Sequence, residues 1–588
     1  MDSKHVTEST SGQKDIQKTW WKEAIIYQIY PRSFQDSDGD GIGDLNGITS
    51  RLDYIQSLGV DIIWLNPIFL SPNDDNGYDI SDYREIMREF GTMEDFDRLL
   101  KEIHKREMRL VLDLVVNHTS DEHPWFEEAR KSRHNPYYNY YHWWPAEKGE
   151  PPLRLSYFDE EGNAWMYNKP TDSYYLHYFS RKQPDLNWEN PEVRQEIFDM
   201  MRFWFDKGID GFRMDSISLI AKDPSFPLID SKKYPDIFSF YAKEPRLHLY
   251  LHEMNRQVLS KYDCMSVGEG SAVMVDDVAK FVDPAREELN MLYHFDAARI
   301  RNTTLPDNPE SGIDYSLIAL KKMFTEWDKA VDKGWPSIYL GNHDQPRMVS
   351  RFGSDKDEFR ALSAKMLITF LLTMRGTPYW FAGDEIGMRN IRFDRIEDYN
   401  DIDTINRYKK AKAEGKDPQA VLDEQKETGR DNARTPFQWD RSPEAGFTAG
   451  TPWLKVNPDY TWINVADEEK DPTSILNYFK KVVSFRKENP SLIYGSYHLL
   501  DAENPQSYTF LRKTGADTYL IMLNFSPKAA ISTPGIDMSN AHVLLDNYGD
   551  RSHMAPQKDI TLRPFEAIVF QLNHPVYESF IDSLDLLE

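Results

Sequence analysis

Apolar positions along the chain follow two alternating patterns: short runs of β-branched and aromatic residues, and longer amphipathic stretches. The short runs are typical of buried strands, and the longer stretches place apolar residues on one face of a helix. Eight short runs occur in order, at residues 25–30, 60–65, 110–116, 211–215, 265–268, 292–295, 337–340 and 377–381. Helical patterns lie between them, among them residues 45–58, 93–107, 191–207, 247–261, 315–332 and 359–374. Eight strand–helix alternations are the count of a (β/α)8 TIM barrel, so the pattern predicts an α/β fold of this class.

Two connections within this pattern are too long for ordinary loops. Residues 118–187 follow the third run and are rich in Tyr, Trp, Pro and Asn, which predicts a small inserted domain. Residues 389–440 follow the eighth run and predict a charged, partly helical subdomain. The barrel itself is therefore predicted in two parts, residues 20–117 and residues 188–498.

The two ends of the chain depart from the alternation. Residues 1–19 are polar and predict a flexible N-terminus. Between residues 499 and 588 the pattern changes to strands without helices, at residues 507–513, 518–525, 542–546 and 560–572. This change predicts a separate C-terminal antiparallel β-domain.

Composition argues against several classes of function. The 588 residues include 96 acidic and 70 basic side chains, which gives a formal net charge of −26. Such an acidic chain argues against binding to nucleic acid or to an anionic membrane, since both need a basic face. The single cysteine, Cys264, excludes an internal disulfide and a cysteine-cluster metal site.

Apolar segments bear on the location of the protein. The N-terminal segment lacks the apolar core of a secretory signal. The longest apolar stretch, residues 361–374, is too short to span a bilayer and predicts a buried helix. We therefore expect a cytoplasmic protein without a membrane partner, either a monomer or a weak homo-oligomer.

Carboxylates stand at the ends of three predicted strands. Asp215 ends the fourth run, Glu269 follows the fifth and Asp344 follows the seventh. A single acidic strand end is as often a helix N-cap as a functional group. Three of them at one barrel mouth form a cluster that is electrostatically costly, which favours a functional reason. Glycoside hydrolysis uses such a set: a nucleophile or base, an acid that protonates the leaving oxygen, and a group that stabilises the cationic transition state.

Four motifs around these strand ends carry a family resemblance. The motifs DLVVNH, GFRMD, VGE and NHD, at residues 113–118, 211–215, 267–269 and 342–344, resemble the four signature regions of the α-amylase family, glycoside hydrolase family 13. The stretch QPDLN, at residues 183–187, resembles a fifth signature of the oligo-1,6-glucosidase and α-glucosidase branch. The resemblance runs from about Trp20 to the C-terminus. It implies a barrel, an inserted domain B after the third strand and a C-terminal β-sandwich.

The resemblance also implies a retaining mechanism and a set of site residues. By it, Asp215 is the nucleophile, Glu269 the acid/base and Asp344 the transition-state stabiliser. Arg213 lies two residues before Asp215 on one strand, so both side chains share a face and the arginine holds the carboxylate ionised. The other residues that the resemblance assigns to substrate binding are Asp75, Tyr78, His118, Phe179, Gln183, His343 and Arg434. The last of these is expected to close the pocket, which implies exo-action on one terminal glucose at a time.

The loop after the first strand carries acids at alternating positions around Gly41. This spacing resembles the first part of a calcium loop, although Gly47 stands where an EF-hand has its last glutamate. A solvated acidic turn is the alternative. In this enzyme branch the same loop often binds Ca²⁺, so the resemblance implies a structural Ca²⁺ and no organic cofactor. The implied ligands are Asp36, Asp38, Asp40, Asp44 and the backbone carbonyl of Ile42.

Three departures from the family pattern bear on specificity. Ser216 follows the nucleophile, where Val accompanies α-1,6 preference in the branch and Thr or Ala accompanies α-1,4. Gly270 stands where a bulkier residue is usual, which predicts a wider subsite +1. Residues 299–303 match the Arg-Leu-Asp-Arg-Asp loop of sucrose isomerases only at Arg299.

These observations predict a retaining exo-acting α-glucosidase whose partner is a short oligosaccharide or disaccharide of the maltose, isomaltose or sucrose type. Sucrose isomerase, transglucosylase and trehalose-6-phosphate hydrolase remain alternatives on the same scaffold. A non-catalytic transporter subunit of this fold is disfavoured, because all three carboxylates are present.

Overall fold

The computed structural model describes residues 18–158, 162–230, 232–233, 237–515, 517–538, 541–551 and 558–572. Of the N-terminus predicted to be flexible, residues 1–17 lie outside the described residues.

Eight parallel strands form the barrel, as the sequence pattern predicts. They are β1 (Ile26–Ile29), β2 (Ile62–Leu65), β3 (Arg109–Val115), β4 (Gly211–Asp215), β5 (Met265–Glu269), β6 (Met291–Tyr293), β7 (Ser337–Ile338) and β8 (Thr377–Phe381). Their order in the sheet is β6-β5-β4-β3-β2-β1-β8-β7. The curved sheet brings its ends together, since Ser337 Oγ donates to the Leu292 carbonyl at 2.6 Å. The prediction of a (β/α)8 barrel is confirmed.

Helices follow the strands and cover the outside of the barrel. The main ones are α1 (Leu52–Ser57), α2 (Met93–Lys105), α3 (Pro191–Lys207), α4 (Arg246–Gln257), α5 (Ala279–Val282), α6 (Leu317–Ala330), α7 (Arg360–Thr373) and α8 (Ile475–Glu488). Further helices are Trp20–Glu23, Leu45–Ser50, Pro124–Ala129, Ile237–Tyr241, Asp296–Thr303, Met348–Phe352, Val465–Glu468 and Ser491–Tyr494.

Local sequence sets the ends of these helices. Thr92 caps α2 in a capping box with Asp95. Pro191 begins α3 after an Asn190 cap, and Gly208 ends that helix in the left-handed conformation.

The long connection after β3 contains its own small sheet. Its three antiparallel strands are Trp143–Pro145, Trp165–Asn168 and Ser173–Leu176. A bridge between His118 and Asp185 closes the base of the connection beside β3. A second, two-stranded sheet of Phe69–Leu70 and Asp82–Ile86 follows β2.

The segment after β8 is largely helical, with helices at Ile402–Ala413, Pro418–Thr428 and Asp431–Arg434. The last of these carries the predicted site residue Arg434, so this segment brings residues far along the chain back to the barrel mouth.

The C-terminal region is an antiparallel β-domain, as predicted. Its strands are β9 (Ser496–Leu500), β10 (Ser507–Thr514), β11 (Asp517–Asn524), β12 (Ala530–Ser532), β13 (His542–Asp546), β14 (Ile560–Leu562) and β15 (Ala567–Leu572). Five of them form one sheet in the order β9-β10-β11-β15-β13, and β12 pairs with β14. The single strand predicted over residues 560–572 is wrong, because a turn with Phe565 at φ +50° separates β14 from β15. The domain begins with β9 at Ser496, whereas the predicted boundary at residue 499 lies inside that strand.

The predicted buried helix in residues 361–374 is confirmed as α7, whose side chains are nearly all buried. Within the part of the chain that the structure describes, no helix has the length and apolar character needed to cross a membrane.

Candidate active site

The three predicted carboxylates converge at the carboxyl end of the barrel. Asp215 and Glu269 are the last residues of β4 and β5, and Asp344 stands in the loop after β7. All three line one cavity of about 590 Å³. The three carboxylates come together because the barrel strands are parallel, so their carboxyl ends all face one side of the barrel.

Arg213 is the centre of the cluster. Its Nη1 donates to Asp113 and to Asp215, both at 2.8 Å, and its Nη2 donates to Glu269 at 2.9 Å. The guanidinium is fully buried, and its planar fork lets it hold several carboxylates at once. The prediction that Arg213 and Asp215 share one strand face agrees with this contact.

The environment gives the three carboxylates different protonation states. Burial raises the pKa of Glu269 to about 8, and the charges of Asp215 and Asp344 act in the same direction. Burial raises the pKa of Asp215 to about 6, with Arg213 limiting the rise. Near pH 7 the site therefore holds a protonated Glu269 beside an ionised Asp215, which is the division between acid and nucleophile.

Asp344 is held ionised. Burial by itself raises the pKa of this carboxyl group, but nearby positive charge outweighs burial and holds the pKa well below its usual range. Arg434 donates to Asp344 at 2.9 Å and Arg430 at 3.2 Å. His343, 3.2 Å away, is itself neutral, because burial lowers its pKa to about 3. The permanent charge beside Asp344 thus comes from the two arginines.

One guanidinium group holds the carboxyl groups of Asp215 and Glu269, since Arg213 donates to the first through Nη1 and to the second through Nη2. Arg213 fixes this arrangement, and the backbone N–H of Ser216 donates to the same Glu269 oxygen at 2.8 Å. An inverting glycosidase needs its carboxyl groups about 6.5–9.5 Å apart to admit a water between them. Two carboxyl groups held by the same guanidinium group suit the shorter separation of a retaining mechanism.

The predicted site residues fall into two groups. Those that line the cavity are Asp75, Tyr78, His118, Phe179, Asp215, Glu269 and Asp344. Those that stand behind the lining and hold it are Gln183, Arg213, His343 and Arg434.

Two of these supports show how the second group acts. Gln183 Nε2 donates to Asp75 at 3.3 Å. His343 Nε2 lies 2.6 Å from the Tyr78 hydroxyl, and its ring stacks on the Tyr78 ring at 5.3 Å between centroids. These contacts fix the orientation of the lining side chains.

Arg430 is a lining residue that the sequence analysis missed. The structure places Arg430, four positions before Arg434, at the cavity wall. Its guanidinium pairs with Asp75 at 3.4 Å, Asp344 at 3.2 Å and Asp401 at 2.5 Å. Arg434 is buried behind it, so the closing role predicted for Arg434 passes to Arg430. The two arginines are four positions apart in the sequence, and only the direction of the short helix after residue 430 distinguishes them.

Aromatic side chains from the inserted domain form another part of the wall that the sequence did not reveal. Tyr157 and Phe158 line the cavity beside Phe179. The Phe158 and Phe179 rings are 5.7 Å apart. Such rings can stack on the apolar face of a sugar.

The two specificity positions behave differently. Ser216 lines the cavity with φ +44°, a left-handed conformation that is rare for a residue with a side chain. Gly270 does not widen the pocket as predicted. A Cβ at this position would lie 2.7 Å from Leu292 Cδ2, so its missing side chain points into the barrel wall.

The loop after β1 brings Asp36, Asp38 and Asp40 together, with one carboxylate oxygen of each within 4.8 Å of the others. The oxygens of Asp36 accept hydrogen bonds from the backbone and from Thr448, and this bonding outweighs burial to lower its pKa. Asp44 lies outside the group and caps the following helix by accepting from Gly47 N at 2.7 Å. Three oxygen ligands on one loop suit a hard cation such as Ca²⁺.

Comparisons with known proteins agree with this geometry. The sequence model described as alpha amylase, catalytic domain, matches residues 28–495. The chain is 51% identical over 571 residues to an oligo-1,6-glucosidase of Parageobacillus thermoglucosidasius, covering 95% of this chain and all of that relative. It is 49% identical to an oligo-1,6-glucosidase of Bacillus cereus, again covering 95% of this chain and all of the relative. The solved structure of the trehalulose synthase MutB from Pseudomonas mesoacidophila MX-45 is similar with a TM-score of 0.89 and 43% identity, covering 94% of this chain and 99% of that one.

Proposed function

Because the chain belongs to the α-amylase family of glycoside hydrolases, we propose that it is a retaining, exo-acting α-glucosidase that hydrolyses terminal α-linked glucose from disaccharides and short oligosaccharides. The observation that carries the proposal is the division of protonation between Asp215 and Glu269, which line the same cavity. The relatives named oligo-1,6-glucosidase support the same reaction class.

In the first step the ionised Asp215 attacks the anomeric carbon of the terminal glucose. Glu269 gives its proton to the glycosidic oxygen as the bond to the leaving sugar breaks. Arg213 stabilises Asp215 in its ionised form, and the ionised Asp344 favours the positive charge that develops on the sugar ring.

In the second step a water molecule attacks the anomeric carbon of the covalent intermediate. Glu269, now ionised, takes a proton from that water, and the bond to Asp215 breaks. Two displacements restore the original configuration, so the product is α-glucose.

Exo-action is supported by the ion pairs of Arg430 at the cavity wall. Arg430 joins carboxylates from three separate segments, at Asp75, Asp344 and Asp401. On the proposed function, this set of ion pairs blocks the cavity beyond the terminal glucose, where an internal segment of a polysaccharide would have to continue.

A neutral leaving sugar fits the outer part of the cavity better than a phosphorylated one. Among the described residues that line it, each arginine already has a carboxylate partner: Arg299 with Asp296, Arg407 with Glu424, and Arg430 with Asp401. Asp403 adds a further carboxyl group to the same wall. We therefore rank trehalose 6-phosphate below the neutral disaccharides.

Sucrose isomerisation is the second candidate. It is favoured by the similarity to trehalulose synthase and by Arg299, which lines the cavity and is the one position that matches the isomerase loop. In that reaction the released sugar, in place of water, attacks the intermediate.

A product screen tests the proposal. The purified enzyme is incubated with maltose, isomaltose, sucrose, trehalose and trehalose 6-phosphate, and the products are resolved by chromatography. We expect glucose from the neutral α-glucosides and little from trehalose 6-phosphate. A main product of trehalulose or isomaltulose from sucrose would assign the isomerase function, and absence of cleavage of every neutral substrate would overturn the proposal.

We also propose that the loop after β1 holds a structural Ca²⁺. Asp36, Asp38 and Asp40 supply carboxylate oxygens, and the Ile42 carbonyl completes the protein ligands. Burial raises the pKa of Asp40, and the charges of Asp38 and Asp36 act in the same direction. The ion offsets this repulsion among the carboxylates.

We also propose a location and an oligomeric state. The single cysteine suits a reducing compartment, so we place the enzyme in the cytoplasm. We propose that it is a monomer or a weak homo-oligomer.

A further inference from the structure

Lys222 is a buried cation that the proposed reaction does not use. It lies seven residues after Asp215, and its side chain is fully buried. Its ammonium group is 3.1 Å from Asp185 Oδ2 and donates to Asn117 Oδ1 at 2.5 Å. Because a buried lysine loses its hydration, its charge must be compensated by such contacts.

The ammonium group fixes the orientation of the Asn117 amide. An ammonium group can only donate hydrogen bonds, so the amide must turn its oxygen toward Lys222. The amide nitrogen then points the other way, where it lies 3.1 Å from Nδ1 of His118. The positive charge of Lys222 therefore decides which end of the Asn117 amide is the oxygen and which is the nitrogen.

The amide in turn fixes the tautomer of His118. Burial lowers the pKa of His118 to about 3, so the ring is neutral and carries one proton. Since Asn117 Nδ2 donates to Nδ1, the proton must be on Nε2. Nε2 lies 3.0 Å from the Tyr78 carbonyl oxygen, which accepts that proton. Nε2 is also 3.2 Å from Gln183 Nε2, whose two hydrogens have acceptors of their own in Asp75 and the same Tyr78 carbonyl.

The other tautomer would disturb the cavity. It would place a lone pair of Nε2 against the lone pairs of the Tyr78 carbonyl at 3.0 Å. Both Tyr78 and His118 line the cavity, so this repulsion would act on the wall itself.

We propose that Lys222 is a positioning residue that acts through Asn117 to hold His118 as its Nε2–H tautomer, so that the ring stays hydrogen-bonded to the Tyr78 carbonyl and keeps its place in the cavity wall. The expected effect on kcat/KM rests on the proposed function, whereas the tautomer is a property of the free protein.

A purely structural role is the competing explanation. Lys222 also connects the loop after β4 to Asp185, which pairs with His118 at the base of the inserted domain. If Lys222 only anchors that domain, its removal lowers stability but leaves the His118 tautomer unchanged.

Nitrogen NMR of the free protein separates the two explanations. Histidine labelled with ¹⁵N in the ring gives different shifts for a protonated and an unprotonated ring nitrogen, and the His118→Gln variant identifies the signals of His118. We expect an unprotonated Nδ1 and a protonated Nε2 in the wild type. A protonated Nδ1 would overturn the proposal, whatever the enzyme's activity.

The matching variant is Lys222→Met combined with Asp185→Asn, which removes both buried charges together. We expect the His118 nitrogen signals to shift toward the other tautomer. We also expect kcat/KM to fall about 10-fold, because that is the effect of losing one hydrogen bond.

Lys321→Met is the control. Lys321 is also fully buried and donates to three carbonyls at the contact with the C-terminal domain, so its loss lowers the melting temperature without moving the His118 signals. Unchanged His118 signals in the Lys222 variant would overturn the proposal.

A second variant serves if the first does not fold. Asn117→Asp keeps a partner for Lys222 but replaces the amide donor with an oxygen that can only accept. His118 must then protonate Nδ1, and we expect the Nδ1 signal to become that of a protonated nitrogen. A signal that stays unprotonated would show that Asn117 does not set the tautomer.

A double-mutant cycle connects the tautomer to catalysis. In a His118→Ala background the paired Lys222 substitution should cost little further kcat/KM, because its target is absent. An equal loss with and without His118 would contradict the proposed route through this residue.

Discussion

Asp215, Glu269 and Asp344 have the same functional group, and only their neighbours give them different roles. Arg213 touches the first two, and the arginine pair Arg430 and Arg434 touches the third. Burial then raises the pKa of Glu269 above that of Asp215. Each role is thus a property of the arrangement.

The pH dependence of kcat/KM should report this difference. Below about pH 6 Asp215 gains a proton and cannot attack, and above about pH 8 Glu269 loses the proton that the leaving oxygen needs. We predict a bell-shaped profile between these two limits, whose apparent pKa values belong to the coupled pair. Initial rates at low substrate concentration from pH 4 to pH 10 measure it, and a rate that keeps rising to pH 10 would contradict the assignment of Glu269.

Ser216 should influence linkage choice. Its side chain lines the cavity next to the nucleophile, and Val at this position would add a branched apolar wall. We predict that the wild type cleaves maltose or sucrose at least as well as isomaltose, and that Ser216→Val raises the isomaltose-to-maltose ratio of kcat/KM, by roughly 10-fold.

The ratio of kcat/KM values is the quantity to measure. The left-handed backbone at Ser216 strains a β-branched residue, so Ser216→Val lowers the stability of the enzyme, and this effect is the same for both substrates. Ser216→Ala, which is small like the wild type, is the matched control. An unchanged ratio in Ser216→Val would exclude this position as a determinant of linkage.

The arrangement of residues on one strand could be predicted from the sequence, whereas the position of some loop residues relative to the cavity could not. Arg213 and Asp215 are two apart on one strand, so a shared face follows from strand geometry. The choice between Arg430 and Arg434 depends on how a helix of four residues packs against the cavity. For Gly270 the missing fact was the direction in which a Cβ would point, which the structure shows to be toward the Leu292 side chain.

At the scale of elements, the eight barrel strands could be predicted because each is a short buried run between turn residues. The prediction of one strand over residues 560–572 failed in spite of a visible signal. Pro564 cannot donate to a ladder and marks the turn between β14 and β15. The helix predicted over residues 45–58 is two short helices that meet at Arg51.

The loop after β1 is the element whose proposed role is easiest to test. If it holds Ca²⁺, chelation should lower the melting temperature, because an ion that binds only the folded state stabilises it. We predict a drop on adding EGTA and recovery with Ca²⁺ in excess. Asp38→Asn should abolish the drop, while Asp53→Asn, an exposed acid on α1, should not. A melting curve that EGTA leaves unchanged, with no metal found by elemental analysis, would favour a solvated acidic turn.

At the scale of the molecule, two buried arginines meet at the end of α7, and one of them, Arg512, joins the C-terminal domain to the barrel. Arg486 donates to the carbonyls of Leu372 and Met374 at the end of α7. Arg512, on β10, donates to Thr373 O at 2.6 Å and Gly495 O at 2.7 Å. Helix ends leave carbonyls without partners, and these guanidinium groups supply the missing donors.

Arg512→Met should therefore destabilise the whole protein. It leaves several buried carbonyls without a donor, each costing about 1–3 kcal/mol, so we predict a loss of at least about 3 kcal/mol in the free energy of unfolding. Urea unfolding measures it, with the less buried neighbour Lys513→Met as control. A loss equal to that of the control would show that this contact does not hold the domains together.

The central claim concerns the configuration of the released glucose. The account predicts that ¹H NMR, recorded within minutes of adding enzyme to maltose or isomaltose, shows α-glucose first and β-glucose only later, through mutarotation. Asp215→Asn should remove the signal under the same conditions, which ties it to this site. If β-glucose forms first, the reaction inverts, and the assignment of Asp215 as nucleophile and Glu269 as acid/base is contradicted.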